Sequence, residues 1–149
     1  MARKHRLGRS QKYHPRPRHL YALLFNNGGC YVGQSVDLGK RLQSHRSNAG
    51  GWGGAKFHMV ELGVIIGTYA DAEQYEYAWR YKASKAGWLI YGKPGVLVNP
   101  TYRLTFRRRM LAWTLSWPGK YRRKGRLSSS MFWLFLGGIA LMCFYTAQM

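Results

Sequence analysis

Acidic residues are scarce in this chain: five Asp and Glu stand against 24 Lys and Arg, a formal net charge of +19 over 149 residues. That scarcity excludes an acidic calcium or metal buffer and leaves two-carboxylate chemistry short of candidates. Cysteine is rarer still. Cys30 and Cys143 lie far apart, so there is no disulfide framework and no zinc-ligand spacing. Met1 to Arg18 holds no apolar run, so no signal peptide is expected there. Apolar and aromatic side chains are abundant, at 46% and 15%. A disordered basic tail is poor in both, so a folded core is expected. The length suits one compact domain with extra segments rather than two cores.

The positive charge is unevenly placed. Residues 1–18 carry seven basic residues and residues 103–126 carry nine, with no acid in either. Residues 19–102 carry eight basic residues and all five acids, a balance of +3. Basic flanks around a nearly neutral core suit a polyanion or an anionic membrane surface; a solvated tail without a dedicated partner is the plainer reading. Nucleic acid is favoured, and DNA over RNA. Phosphate contact is expected from Lys40, Arg46 and Lys56 in the middle, and from Arg107, Arg108 and Arg109 in the second flank.

Along the chain, residues 1–18 form a basic arm, extended by Pro15 and Pro17. His19–Phe25 reads as a buried strand, and Asn26-Asn27-Gly28-Gly29 as a tight hairpin turn into a return strand at Cys30–Gly33. A helix capped by Ser35 or Asp37 then runs through Leu38, Arg41, Leu42 and His45. A loop with four glycines around Trp52 follows, then a third strand at residues 57–66. A second helix is expected over residues 71–86, capped by Asp71 with Gln74 at capping-box spacing and stopped by Gly87. Gly92, Pro94, Gly95 and Pro100 make 88–102 mostly loop. A basic helix is expected over 103–116, within a helix-and-linker segment reaching residue 126.

Residues 127–149 contain no charged side chain. They follow Lys120, Arg122, Arg123, Lys124 and Arg126, which by the positive-inside rule would stay cytoplasmic. Within the run, the apolar stretch 131–145 together with Thr146 to Met149 reaches the lower end of what a spanning helix needs, about 17–25 residues. It reads as a membrane tail, with a buried helix as the alternative, and places the protein at a membrane or, failing that, in the cytoplasm.

The chemistry concentrates in the hairpin and first helix. Tyr21 and Tyr31 sit on paired strands and can share a face. Gly33 would let a phosphate backbone approach. Arg41 and His45, at i and i+4, share a helix face. Two phenols, a guanidinium and an imidazole together suit attack on a phosphodiester.

The run His19-Leu20-Tyr21, then Tyr31-Val32-Gly33-Gln34-Ser35, then Arg41 and His45 resembles the GIY-YIG nuclease family. His19, Leu20 and Val32 depart from its pattern at packing positions. The stretch Gln74-Tyr75-Glu76-Tyr77-Ala78-Trp79 resembles the family's metal-glutamate helix, closest to the branch that cuts branched DNA, although that branch's zinc domain has no counterpart here. Asn99 resembles an Asn found before the domain end. The resemblance covers about residues 19–102. It implies an α/β fold, with a small three-stranded antiparallel sheet flanked by helices.

The resemblance also implies a phosphodiesterase. Glu76 would hold one divalent ion, Mg²⁺ or alternatively Mn²⁺. Arg41 would neutralise the phosphoryl oxygens, and Tyr21 would activate water directly or through His45. Tyr31 would position water or phosphate, and Gly33 and Ser35 would lie against the nucleic acid. Which group takes the proton stays open. The alternative is a catalytically silent binding subunit of a ribonucleoprotein or membrane-bound DNA complex, and a protein partner is compatible with either.

Overall fold

The computed structural model describes residues 12–123. Strand β1 (Arg16–Phe25) is buried almost without interruption, as an inner strand covered on both faces must be. It turns through Asn26–Gly28 into β2 (Gly29–Ser35). Gly28 has φ +89°, a conformation that suits glycine, and its amide donates to the Phe25 carbonyl at 3.0 Å. Helix α1 (Leu38–Arg46) follows, and the Asp37 side chain caps it by accepting from the Lys40 amide at 2.9 Å. After the glycine loop come β3 (Phe57–Gly67) and helix α2 (Tyr69–Lys85). Short strands β4 (Leu89–Lys93) and β5 (Val96–Leu97) then lead to helix α3 (Phe106–Thr114).

The fold is α/β, as expected, but the sheet has five strands rather than three, in the order β3-β1-β2-β4-β5. The glycines and proline of residues 88–102 hid β4 and β5. Strand β4 pairs parallel to β2, aligning Gly29 with Leu89 and Tyr31 with Tyr91. Glycine is needed at that edge: a Cβ on Gly29 would lie 2.0 Å from the Tyr91 ring.

Three boundaries also differ from expectation. The arm's Arg16, Pro17 and Arg18 are already strand, paired with Gly67, Ile66 and Ile65. Helix α2 starts earlier, because Thr68 is its cap and Asp71 is the third residue of a reciprocal capping box. The basic helix is shorter than 103–116.

Pleating sorts β1 onto two faces. Leu20, Ala22 and Leu24 pack with Cys30, Val32, Val60 and Ile90 against Ala72, Trp79 and Ala83 of α2. Tyr21, Leu23 and Phe25 point the other way, into an aromatic cluster with Trp52, Tyr31, Phe57 and Tyr91. Among the described residues no helix is long and apolar enough to cross a membrane. The run 127–149, read as a membrane tail, lies outside the described residues, as do residues 1–11 of the arm.

Candidate active site

The β1–β2 register places Tyr21 opposite Gly33 and Leu23 opposite Tyr31, so the two phenols share a face with ring centroids 6.4 Å apart. Helix α1 crosses that face. Arg41 Nε donates to Tyr21 Oη at 2.9 Å, and His45 Nε2 lies 2.8 Å from the same oxygen. The three residues expected to cooperate from β1 and α1 therefore meet at one atom.

Tyr21 is fully buried, however. Burial, and secondarily Tyr31, raise its pKa, against the hydrogen bond and charge of Arg41. Burial and then the Arg41 charge push the His45 pKa down to about 4, so its ring is neutral near pH 7.

The surface that opens outward is a cleft of about 400 Å³ lined by Tyr31, Gln34, Ser35, Arg41, Tyr69, Glu73, Glu76, Tyr77 and Arg80. Glu76 follows Ala72 by one turn on the buried face of α2 and comes out at the cleft wall. Burial pushes its pKa up to about 7, against the Arg80 charge and a hydrogen bond from Gln34. Arg80 Nη2 reaches Glu76 Oε2 at 3.3 Å, a long contact. A buried carboxylate with one long ion pair, beside a second carboxylate in the same cleft, is an environment that a divalent cation would relieve. No group of three or more metal-ligating side chains occurs among the described residues, so water would supply most of the coordination, as a hard cation accepts.

The structure thus gathers Tyr31, Arg41 and Glu76 around one cleft, with Tyr21 and His45 immediately behind. Gly33 is not open to a phosphate: a Cβ there would lie 2.6 Å from Tyr21 Oη and 2.9 Å from the Tyr31 ring, so its missing side chain seats the tyrosines. The Ser35 hydroxyl lines the cleft but is held by the Asp37 backbone, donating to its carbonyl at 2.7 Å. Lys40 is exposed and pairs with Asp37 at 3.5 Å. Arg46 and Lys56, both exposed, line a separate cavity behind His45.

In the second flank, Arg107 and Arg109 are exposed on α3, whereas Arg108 is buried. It lies 3.9 Å over the Tyr77 ring and donates to Gln74 Oε1 at 2.8 Å, docking α3 on α2 rather than facing a ligand. The Asn99 carboxamide oxygen is held by the Thr101 amide and hydroxyl.

Gln34 and Arg80, which flank Glu76, and Trp52 carry no role that the sequence alone assigns. The i, i+4 spacing of Glu76 and Arg80 was the available signal for the second.

A family model described as the GIY-YIG catalytic domain matches residues 17–87. A UPF0213 protein of Xanthomonas campestris pathovar campestris, strain 8004, is 31% identical over 99 residues, covering 66% of this chain and 76% of that protein. The UPF0213 protein of a second strain of the same pathovar gives the same figures. No solved structure matches.

Proposed function

The chain belongs to the GIY-YIG family, and from that premise we propose that it is a metal-dependent endonuclease acting on nucleic acid, with DNA favoured. One observation carries the reading: Tyr31, Arg41 and Glu76, from β2, α1 and α2, line a single cleft in a chain with a net charge of +19. A binding surface alone has no physical need for a buried carboxylate next to a phenol and a guanidinium.

In this reading Glu76, with Glu73 nearby, would hold the divalent ion, Mg²⁺ or in its place Mn²⁺. When bound, the ion supplies Lewis-acid stabilisation of the scissile phosphate. Arg41 lies along the same cleft and neutralises charge on the phosphoryl oxygens. Tyr31 is the phenol that reaches the cleft, so it orients the attacking water and serves as its general base. Tyr21, shut off from the cleft, works as a positioning residue: its oxygen takes the Arg41 Nε–H and fixes the guanidinium. Exposed Lys40, Arg46, Lys56, Arg107 and Arg109 contribute phosphate attraction without reading bases. Attachment to a membrane through residues 127–149 rests on sequence alone.

The test is cleavage by purified full-length protein of labelled single-stranded, duplex and branched DNA and RNA. Strand scission that requires Mg²⁺ and stops with a chelator is expected. No scission of any substrate would overturn the nuclease reading. Full-length protein that stays soluble without detergent and does not pellet with vesicles would overturn membrane attachment only.

A further inference from the structure

The glycine loop after α1 returns one side chain to the interior. Trp52 is buried against Phe25, with ring centroids 4.7 Å apart, and its indole Nε1–H donates to His45 Nδ1 at 3.1 Å. The loop's composition follows from this. A Cβ on Gly50 would lie 2.5 Å from the His45 carbonyl oxygen and 2.6 Å from that of Ser44, so only glycine lets the chain double back so tightly on the helix end. Gly51 then takes φ +74°, the left-handed turn that brings the Trp52 indole N–H to the edge of the His45 ring.

An indole nitrogen only donates. Nδ1 must therefore present its lone pair, and in a neutral imidazole the proton is then on Nε2. That nitrogen faces Tyr21 Oη at 2.8 Å, so His45 donates to the phenol oxygen, as Arg41 Nε does from the other side. Two N–H donors occupy the oxygen's two lone pairs. His45 has no lone pair directed at Tyr21 and cannot take its proton.

We propose that Trp52 is a positioning residue that locks His45 as the Nε2–H tautomer, making it a fixed donor that clamps Tyr21, and through Tyr21 the Arg41 guanidinium, rather than a proton relay. The role rests on the nuclease reading, whereas the tautomer does not. Without the indole N–H, His45 can carry its proton on Nδ1 and accept from the Tyr21 hydroxyl. The phenol oxygen then trades an N–H donor for a donating bond of its own, and the hold on Arg41 loosens. The titratable or charged groups around His45 are Tyr21, Tyr31 and Arg41, with Arg46 and Lys56 on the adjoining cavity wall.

The experiment is ¹⁵N NMR of the histidine rings in full-length protein, followed over pH, for wild type, Trp52→Phe and a site-specific benzothienylalanine at position 52. The last keeps the ring shape and removes only the N–H. In the wild type the His45 signals should show a protonated Nε2 and an unprotonated Nδ1. Both replacements should shift the tautomer toward Nδ1–H and move the His45 titration upward, because the lost bond favoured the neutral ring. Single-turnover cleavage should fall about tenfold or more, as for other partners one shell removed from a reacting site. Binding of an uncleaved oligonucleotide in Ca²⁺ should be unchanged. A wild-type proton on Nδ1, or an unaltered tautomer and titration in the folded benzothienylalanine protein, would overturn the proposal. If wild-type protein cuts nothing while the tautomer is as stated, the nuclease reading fails and the lock stands.

Discussion

The two faces of β1 are built differently. Leu20, Ala22 and Leu24 meet α2 mainly through the apolar surfaces of Ala72, Trp79 and Ala83, and Glu76 of the same helix comes out at the cleft wall. Tyr21, Leu23 and Phe25 meet side chains whose rings bear polar atoms, and those atoms are matched one to another from Trp52 to His45 to Tyr21 to Arg41. The first face stabilises by area removed from water, which tolerates substitution of similar volume. The second stabilises by directional bonds, where removing one partner strands the next. Chemistry is found on the second because fixed donors can be aimed, whereas apolar packing cannot.

That contrast can be tested from both sides. Glu76→Gln should abolish cleavage, a loss on the order of 10³-fold or more, while oligonucleotide binding persists. Glu73→Gln should lose far less in the same single-turnover assay. On the apolar face, Leu20→Ala should cost about 2–5 kcal/mol in urea unfolding, with the folded fraction cutting at the wild-type rate. Arg41→Lys keeps the charge but gives up the planar fork that serves both Tyr21 and the cleft. Turnover should fall on the order of 10²-fold, and loss of the Nε–H donor to the buried Tyr21 oxygen should also cost about 1–3 kcal/mol in urea unfolding.

The smallest effect is on pH dependence. His45 has an ordinary pKa of 6.5 and a folded value of about 4, so between those values the unfolded chain binds more protons. Stability contributed by the neutral ring is complete above about pH 6.5 and is lost as pH falls toward 4. It amounts to about 2 kcal/mol between pH 7 and 5. Urea midpoints measured at those two pH values should differ less in His45→Asn than in the wild type.

What the sequence disclosed was local. Tyr21, Tyr31, Arg41 and His45 could be named because strand pairing and helix periodicity relate near neighbours, and Glu76 because its helix resembles the family's metal-glutamate helix; the cleft brings Tyr31, Arg41 and Glu76 together. What it hid depends on long-range packing. A run of three arginines does not say that the middle one will turn onto Tyr77 and dock a helix. Gly92, Pro94 and Gly95 look like loop, and Pro94-Gly95 is a turn, but it joins β4 to β5, and β4 pairs with β2 through Leu89, Ile90 and Tyr91. Trp52 stood out for its glycines, yet its partner is a ring nitrogen seven residues back, reached only because Gly50 and Gly51 reverse the chain. Tyr21 and Tyr31 look alike in sequence and share a face; only the packing of α1 and α2 around them seals one in and leaves the other lining the cleft.

The most direct measurement compares Tyr21→Phe and Tyr31→Phe in single-turnover cleavage of a labelled oligonucleotide over a range of pH with Mg²⁺. If Tyr31 meets the water, Tyr31→Phe should cut on the order of 10²-fold more slowly across the whole pH range. Tyr21→Phe should lose less than Tyr31→Phe. A larger loss in Tyr21→Phe than in Tyr31→Phe would contradict the account, as would equal cleavage by Tyr31→Phe and wild type.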